Sequence, residues 1–395
     1  MHQLILTIAV SQTFFAALII LLVRKEGASR SAALLAGFIF VYGVSFVPEM
    51  TFVSDLNQSI PALVPLTFFF YFLIGPFFYF YIKEITRKHG QPLITNWPLH
   101  VGPIVLGVGL MSAWVMMPED SRRIAISNEF WPVNRPISNV ELSILLAQVV
   151  SHAQIFAYLS ASLIRLTRHF SRVRDLFSNL EDKTLGWARL ATFAIITIWF
   201  MDLVTDIGYV IGWFGGAGEV VFTLSELVVF YFVAIWGLRQ PVIFGSQNAE
   251  LAALPPEKSI ATNKYVKSAL SDAQMERISA NLDRAMKSRK LFTESSLTLA
   301  DLSRDLHTPQ NYVSQTLNQK IGLKFYDYIA QHRVEEAKGL LTQGDDSKTI
   351  LQIALDVGFN SKSTFNAAFK RLAGMTPSQF RQQKAKFAPG NGPSP

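Results

Sequence analysis

Seven long apolar stretches fill the chain before position 240, and they constrain its fold more than any other feature. Each is close to the roughly 20 residues that a helix needs to cross ~30 Å of hydrocarbon. Several are apolar on every side, whereas the core helices of a soluble protein are shorter and keep a polar face. The sequence therefore predicts seven transmembrane helices, near Gln3–Val23, Ser31–Pro48, Ile60–Ile82, Leu99–Met117, Leu142–Ile164, Leu190–Gly212 and Val220–Leu238.

The composition divides the chain at the same place. Charged residues make up only 16% of the chain and hydrophobic residues 50%, whereas soluble proteins usually carry about a quarter charged residues. Apolar residues are dense before position 240 and ordinary after it. This asymmetry predicts a membrane domain at 1–240 followed by a soluble domain. Because the chain has no cysteine, disulfides, thiolate metal sites and cysteine nucleophiles are excluded.

Basic residues in the connecting loops predict the orientation of the spans, because Lys and Arg accumulate on the cytoplasmic side. One set of alternating loops carries twelve of them, and the opposite set carries only Arg122, Arg123 and Arg135. The larger set consists of Arg24, Lys25, Arg30, Lys83, Arg87, Lys88, Arg165, Arg168, Arg172, Arg174, Lys183 and Arg189. This bias places the N-terminus outside and the C-terminal domain in the cytoplasm, in a multi-pass protein of a bacterial inner membrane.

Four ionisable residues lie inside the predicted spans, where charge is costly and usually functional. They are His152, Asp202, Asp206 and Glu226. Counted from the outer ends at ~1.5 Å per residue, His152 and Asp202 share a depth of ~15 Å, and Asp206 and Glu226 share a shallower one. This pattern predicts a polar cluster that senses a ligand or a proton. Hydrogen bonds that only hold the helices together are the alternative.

A connector is predicted at 241–284, between the membrane domain and the soluble domain. It contains Pro255-Pro256 and then the capping pattern Ser271-Asp-Ala-Gln274, which begins an amphipathic helix. Such a helix either packs on its own domain or forms the seam of a homodimer. A disordered tail is predicted at 389–395.

Apolar residues recur at helical spacing in two similar blocks within 285–388. In the first block Leu299 begins a stripe that ends at a turn, and Pro309 starts a second helix. In the second block Ile353 lies in the first helix, and Ser361 caps the next one. Each block is thus a predicted helix-turn-helix unit. The polar side chains expected on the outer faces are Gln310, Asn311, Ser314, Gln315 and Asn318 in the first unit, and Lys362, Ser363, Asn366, Lys370 and Arg371 in the second.

This double unit resembles the DNA-binding domain of the AraC/XylS family of transcription factors. The resemblance is carried by Ile353-Ala354, Val357-Gly358-Phe359, Ser363-Thr364-Phe365, Phe369-Lys370, Gly374-Met375-Thr376-Pro377-Ser378, Phe380-Arg381 and Arg333-Val334-Glu335-Glu336-Ala337-Lys338. It implies that one monomer contacts two successive major-groove segments of double-stranded DNA. Asn, Gln and Ser would then read base edges, while Lys362, Lys370 and Arg371 would hold phosphates. Three features depart from the family pattern: His307 stands where Gly is usual, the Ser-Pro helix start appears as Thr308-Pro309 shifted by one position, and Ala367 stands where a long polar side chain is common.

The predicted fold is all-α, with a seven-helix membrane bundle followed by the soluble double helix-turn-helix domain. The predicted function is a membrane-bound one-component transcription regulator. Its partners would be duplex DNA, the lipid bilayer and a signal, either a small molecule or an envelope state. A transporter-like domain or a simple membrane tether fused to the regulator is the alternative. We expect no enzyme activity, cofactor or metal site, because the chain lacks phosphate loops, hydrolase motifs and metal-binding helices.

Overall fold

A computed structural model describes residues 2–22, 29–47, 50, 63–87, 91–122, 138–181, 183–210, 219–240, 270–342 and 348–386. Every regular element within these ranges is helical, which confirms the all-α prediction for them. The chain folds as two compact units. The first comprises residues 1–167 and 185–246, and the second comprises 168–184 and 247–395. Residues 168–184, which the sequence analysis placed in the membrane domain, therefore group with the C-terminal unit.

Among the described residues, seven helices carry the apolar part of the chain, and each predicted span overlaps one of them. They are α1 (His2–Leu22), α2 (Ser29–Val44), α3 (Leu63–Thr86), α4 (Trp97–Met116), α5 (Asn139–Leu176), α6 (Gly186–Val210) and α7 (Glu219–Arg239). Among the described residues, three helices are long and apolar enough to cross a membrane: Trp97–Met116, Asn139–Leu176 and Gly186–Gly208. The predicted ends at Val23, Pro48, Ile60 and Gly212 lie outside the described residues, as do the connector at 241–269 and the tail.

Glycines let the helices of the first unit approach one another closely. A Cβ added at Gly43 would lie 2.0 Å from Thr13 Oγ1, and one at Gly37 would lie 2.4 Å from the Phe77 ring. The backbone of α2 therefore lies directly against side chains of α1 and α3. Small residues at helix contacts are typical of packing between membrane helices, where backbones must come close for dispersion contacts to form.

The second unit is built from seven α-helices among its described residues, together with the end of α5. They are α8 (Asp272–Arg289), α9 (Leu299–Asp305), α10 (Gln310–Thr316), α11 (Phe325–Thr342), α12 (Ile350–Asp356), α13 (Lys362–Ala373) and α14 (Pro377–Lys386). A 3₁₀ turn at Leu291–Thr293 follows α8, and a π-helical turn at Leu317–Ile321 follows α10.

Side-chain caps start α8, α9, α12 and α13, and two of the caps, at Ser271 and Ser361, are the ones that the sequence predicts. Ser271 accepts a hydrogen bond from the backbone N–H of Gln274, and the Gln274 side chain closes the capping box. Thr298 caps α9 and Thr349 caps α12 in the same reciprocal way. Ser361 caps α13 by accepting from the Thr364 N–H. Each cap satisfies backbone N–H groups that the first helical turn leaves without partners.

The amphipathic helix α8 packs on its own domain, the first of the two alternatives that the sequence left open. Its buried face, formed by Ile278, Leu282, Ala285 and Met286, is covered within the chain by contacts with α10 and the turn at 317–321.

Two turns of the helix-turn-helix units require left-handed backbone. His307 has φ 47° and Gly358 has φ 96°. Glycine adopts this conformation without steric cost, whereas a side chain does so only under strain. The geometry explains why glycine is the usual residue at the position of His307. After Gly358, the rings of Phe359, Phe365 and Phe369 fill the core around the second helix-turn-helix unit.

Candidate DNA-binding surface and polar cluster

The second helix of the first helix-turn-helix unit, α10, presents part of the predicted polar face. Asn311 and Asn318 are exposed, and Gln310 and Ser314 are half-buried. Asn318 donates from Nδ2 to the Ser314 carbonyl at 2.9 Å. These four side chains form a polar edge on α10. Their donor and acceptor groups can form hydrogen bonds with the edges of DNA bases in place of those made within the helix.

Gln315 corrects the sequence analysis, which placed it on this outer face. Its side chain is only 4% exposed, and Nε2 donates to Gln319 Oε1 at 3.0 Å. The physical reason is that α8 packs across α10 and the following turn, so more of the helix surface is buried than a helix covered on one side would bury.

The second helix of the other unit, α13, presents a basic surface. Lys362, Ser363 and Lys370 are exposed, and Asn366 is half-buried. The side chain of Arg371 is 46% exposed and makes a salt bridge with Asp327 Oδ1 at 2.7 Å. The predicted phosphate-binding side chains therefore share one helix, but one of them already has an acidic partner.

Residues 168–181 pack against other parts of the C-terminal unit, a contact that the sequence does not predict. Ser178 donates from both its backbone N–H and its Oγ to the Leu297 carbonyl, at 3.1 and 2.6 Å. Phe177 forms an isolated antiparallel bridge with Thr298. Lys324 adds a salt bridge to Asp175 at 3.0 Å. The basic composition of this stretch does not predict these contacts, since a solvent-exposed loop would have the same composition.

A buried arginine joins the same segment to the domain core. Arg333 is 1% exposed. It donates to the carbonyls of Phe292 (2.6 Å), Glu294 (2.8 Å) and Ser178 (3.2 Å). Its guanidinium lies 5.4 Å from the centre of the Phe359 ring. Burial lowers the pKa of Arg333 to about 10, so the side chain stays charged at neutral pH and satisfies three carbonyls at once.

Two acidic residues contact α13 and the residues around it. Glu181 accepts hydrogen bonds from Ser361 Oγ and, at 2.8 Å, from Thr364 Oγ1. Asp327 accepts from Arg371 and, through its other oxygen, from Arg174. The first turn of α13 and its last basic residue are therefore both occupied by carboxylates of the same chain.

The N-terminal compact unit, residues 1–167 and 185–246, brings together three of the four predicted sensor residues. His152 Nε2 lies 3.2 Å from Asp202 Oδ2, and its Nδ1 lies 2.9 Å from the Gln148 carbonyl. One oxygen or nitrogen from each of His152, Asp202 and Asp206 falls within 4.8 Å of the others. Asp206, which equal depth had paired with Glu226, thus lies with the first pair.

Glu226 has a different neighbour, because it accepts a hydrogen bond from Tyr42 Oη at 3.3 Å. An imidazole and two carboxylates can share a proton or bind a divalent cation. No metal site is expected from the sequence, whereas this set of three donors is one that a metal ion could use.

Comparison with known proteins identifies the C-terminal part of the chain. A family model described as a helix-turn-helix domain matches residues 302–383. The transcriptional regulator YtdP of Bacillus subtilis is 28% identical over 165 residues, which cover 40% of this chain and 21% of that protein. The melibiose operon regulatory protein of Escherichia coli is 33% identical over 100 residues, covering 25% of this chain and 32% of that protein.

A solved structure is also similar in sequence to this part of the chain. It is the C-terminal domain of AraT, a response regulator from Geobacillus stearothermophilus, with 31% identity and a TM-score of 0.25, covering 27% of this chain and 88% of that one. The chain spans about a fifth to a third of the length of the curated relatives described above. Both relatives are named as regulators. Residues 302–383 therefore belong to the AraC-type helix-turn-helix domains.

Proposed function

We propose that the chain is a membrane-bound transcription regulator, which senses a signal through a seven-helix membrane domain and binds promoter DNA through its two helix-turn-helix units. The observation that carries this proposal is the helix α5. It is a single helix of 38 residues, whose apolar part carries His152 and whose last nine residues, 168–176, belong to the unit that contains the helix-turn-helix domain. One continuous helix therefore contributes residues to both the candidate sensor and the candidate DNA-binding unit.

DNA binding is supported by the domain match and by the polar edges of α10 and α13. The side chains proposed to contact DNA are Gln310, Asn311, Ser314, Asn318, Lys362, Ser363, Asn366, Lys370 and Arg371. Asn side chains on α10 can form paired hydrogen bonds with base edges in a major groove, and Ser314 can form single ones. Lys362 and Lys370 can neutralise phosphates, which sets affinity on any sequence.

The DNA-binding role predicts two kinds of variant. Lys370→Ala should weaken binding to all duplexes alike and should reduce the salt dependence of log K by about one phosphate contact, a slope change of ~0.9. Asn311→Ala should instead relax preference at particular base pairs. The measurement is duplex binding by the full chain in detergent, on a selected sequence and on a mixed one, at several salt concentrations.

Lys287→Ala is the matched control for Lys370→Ala, since Lys287 is an exposed lysine on α8, and the helices proposed to contact DNA are α10 and α13. If Lys287→Ala and Lys370→Ala weakened binding equally, the assignment of α13 as a phosphate-contacting helix would be wrong.

The sensing role is supported by the His152–Asp202 pair. Neutralising Asp202 removes a negative charge that lies next to His152 and Asp206. Removing one partner of a fully buried pair costs ~3–5 kcal/mol. Because the Asp202 side chain is 33% exposed, we expect less, ~1–2 kcal/mol after screening by solvent.

Asp202→Asn should therefore leave the protein in the membrane and able to bind duplex, but shift its resting state by about 5–30-fold. The measurement is the activity of a promoter that the chain occupies in cells, divided by the amount of membrane-inserted protein. Asp206→Asn and Glu226→Gln test the same cluster, and Thr197→Ala, an exposed position on α6, is the control. Unchanged output in all three acidic variants would leave only a membrane tether, while loss of the protein from the membrane would indicate a purely structural role.

A further inference from the structure

The carboxylate of Glu181 lies at the first turn of α13. Ser361, the residue that caps this helix, donates from Oγ to Glu181 Oε1, and Thr364 donates from Oγ1 to the same oxygen at 2.8 Å. An anion is stabilised at a helix N-terminus by the unpaired N–H groups and by the helix dipole. Glu181 therefore satisfies donors at the start of the helix that is proposed to enter the DNA.

The same end of α13 is where duplex DNA would have to lie. In a helix-turn-helix unit the N-terminal residues of the second helix approach the base edges, and hydroxyl groups and helix N-termini there bind phosphate oxygens. Lys362 and Ser363, the next two residues after the cap, are exposed. A phosphate needs the donors that Glu181 now occupies, and it carries charge of the same sign as Glu181.

A second carboxylate occupies a basic side chain of α13. Asp327 binds Arg371 through one oxygen and Arg174 through the other. The side chain of Asp327 is only 13% exposed, so solvent screens these pairs weakly. Arg371 is thus neutralised by a residue of its own domain, in a network that also holds residue 174 of the 168–184 segment.

The segment is anchored independently of these charges. Ser178 bonds to the Leu297 carbonyl and receives hydrogen bonds from Arg333. Lys324 bonds to both Ser171, at 2.5 Å, and Asp175. Because these anchors lie on α11 and on the loops that precede α9 and α11, they hold Glu181 in place without blocking α13 themselves.

We propose that residues 168–184 are an inhibitory dock, and that this segment and the phosphate backbone of duplex DNA compete for the N-terminal end of α13. The proposal rests on the DNA-binding role proposed above. In this conformation Glu181 occupies the hydroxyl groups of Ser361 and Thr364 at the start of α13. DNA can bind the second helix-turn-helix unit only after Glu181 has left these two groups. Since the segment begins within α5, a signal that moves this helix would open or close the unit.

The first test compares two variants that remove the same charge. The full chain in detergent is titrated with a fluorescent 30-base-pair duplex of mixed sequence. Glu181→Gln should bind the duplex about tenfold more tightly than the unaltered chain, an effect within the usual range of coupling between sites. Glu335→Gln, at a side chain on α11 that is 72% exposed, should change binding much less. Equal affinity of the unaltered chain and both variants would overturn the inhibitory dock.

The second test holds the segment against α13 with a covalent cross-link. Because the chain has no cysteine, the double variant Glu181→Cys with Asn360→Cys carries only two thiols, and Asn360 is exposed next to the cap. Before cross-linking we expect it to bind the duplex as tightly as Glu181→Gln. After reaction with a short bis-maleimide, binding should be lost. Undiminished binding by the cross-linked chain would refute the dock, whereas a lack of salt-dependent binding in every variant would refute the DNA-binding role itself.

Discussion

Replacing Arg333 with methionine is expected to lower the free energy of unfolding of the C-terminal compact unit, residues 168–184 and 247–395, by ~3–5 kcal/mol. The guanidinium is almost fully buried and donates to the carbonyls of Phe292, Glu294 and Ser178. Methionine fills a similar volume but donates no hydrogen bond, so these oxygens would stay buried without a partner. Each such group costs ~1–3 kcal/mol, and local relaxation recovers part of the sum.

The measurement is amide hydrogen exchange of residues 270–342 in the full chain in detergent, which reports the opening free energy of this unit. Lys338→Met on the same helix is the control. Its ammonium pairs with Glu335, which is largely exposed, so this variant should lose less than ~1 kcal/mol. Equal protection in the two variants would show that the hydrogen bonds of Arg333 contribute nothing to stability.

Gly358→Ala should destabilise the second helix-turn-helix unit by ~2–5 kcal/mol. The residue has φ 96°, and a Cβ there would lie 2.7 Å from the carbonyl oxygens of both Phe292 and Thr293. Left-handed backbone costs a side chain ~1–2 kcal/mol, and forcing rigid backbone atoms apart costs ~1–3 kcal/mol more. The two carbonyls cannot move freely, because the Phe292 carbonyl also accepts from Arg333.

Two other glycines separate these contributions. Gly322 has φ 78° with nothing within 4 Å of an added Cβ, so Gly322→Ala should show the backbone cost alone, ~1–2 kcal/mol. Gly339 lies within α11 and also has open space around it, so Gly339→Ala should stabilise the unit by ~0.5–1 kcal/mol. Denaturant unfolding of the three variants gives the ranking, and a Gly358→Ala loss no larger than that of Gly322→Ala would contradict the predicted clash.

The helices of this protein could be predicted from the sequence because the interactions that start and stabilise a helix are local. A cap such as Thr298 acts on a residue three positions away, and an apolar stripe recurs every three or four residues. The two helix-turn-helix units, the capping box at Ser271 and the apolar helices of the first unit all follow from such short-range patterns. That all seven helices cross the membrane is proposed from their apolar composition.

Contacts between distant residues could not be predicted in the same way. Glu181 and Ser361 are 180 positions apart, and no periodicity relates a loop carboxylate to the cap that it will meet. Gln315 has the composition and spacing of an exposed reader, yet it is buried because α8 packs on its helix. Depth along the spans placed His152 with Asp202, but depth says nothing about which way a side chain faces, so it separated Asp206 from them. By itself the sequence determined which segments are helical and which faces are apolar, because hydrogen bonds and side-chain spacing within a helix act over a few residues. Only the tertiary structure decided which polar groups meet, because that depends on how whole helices rotate and pack against one another.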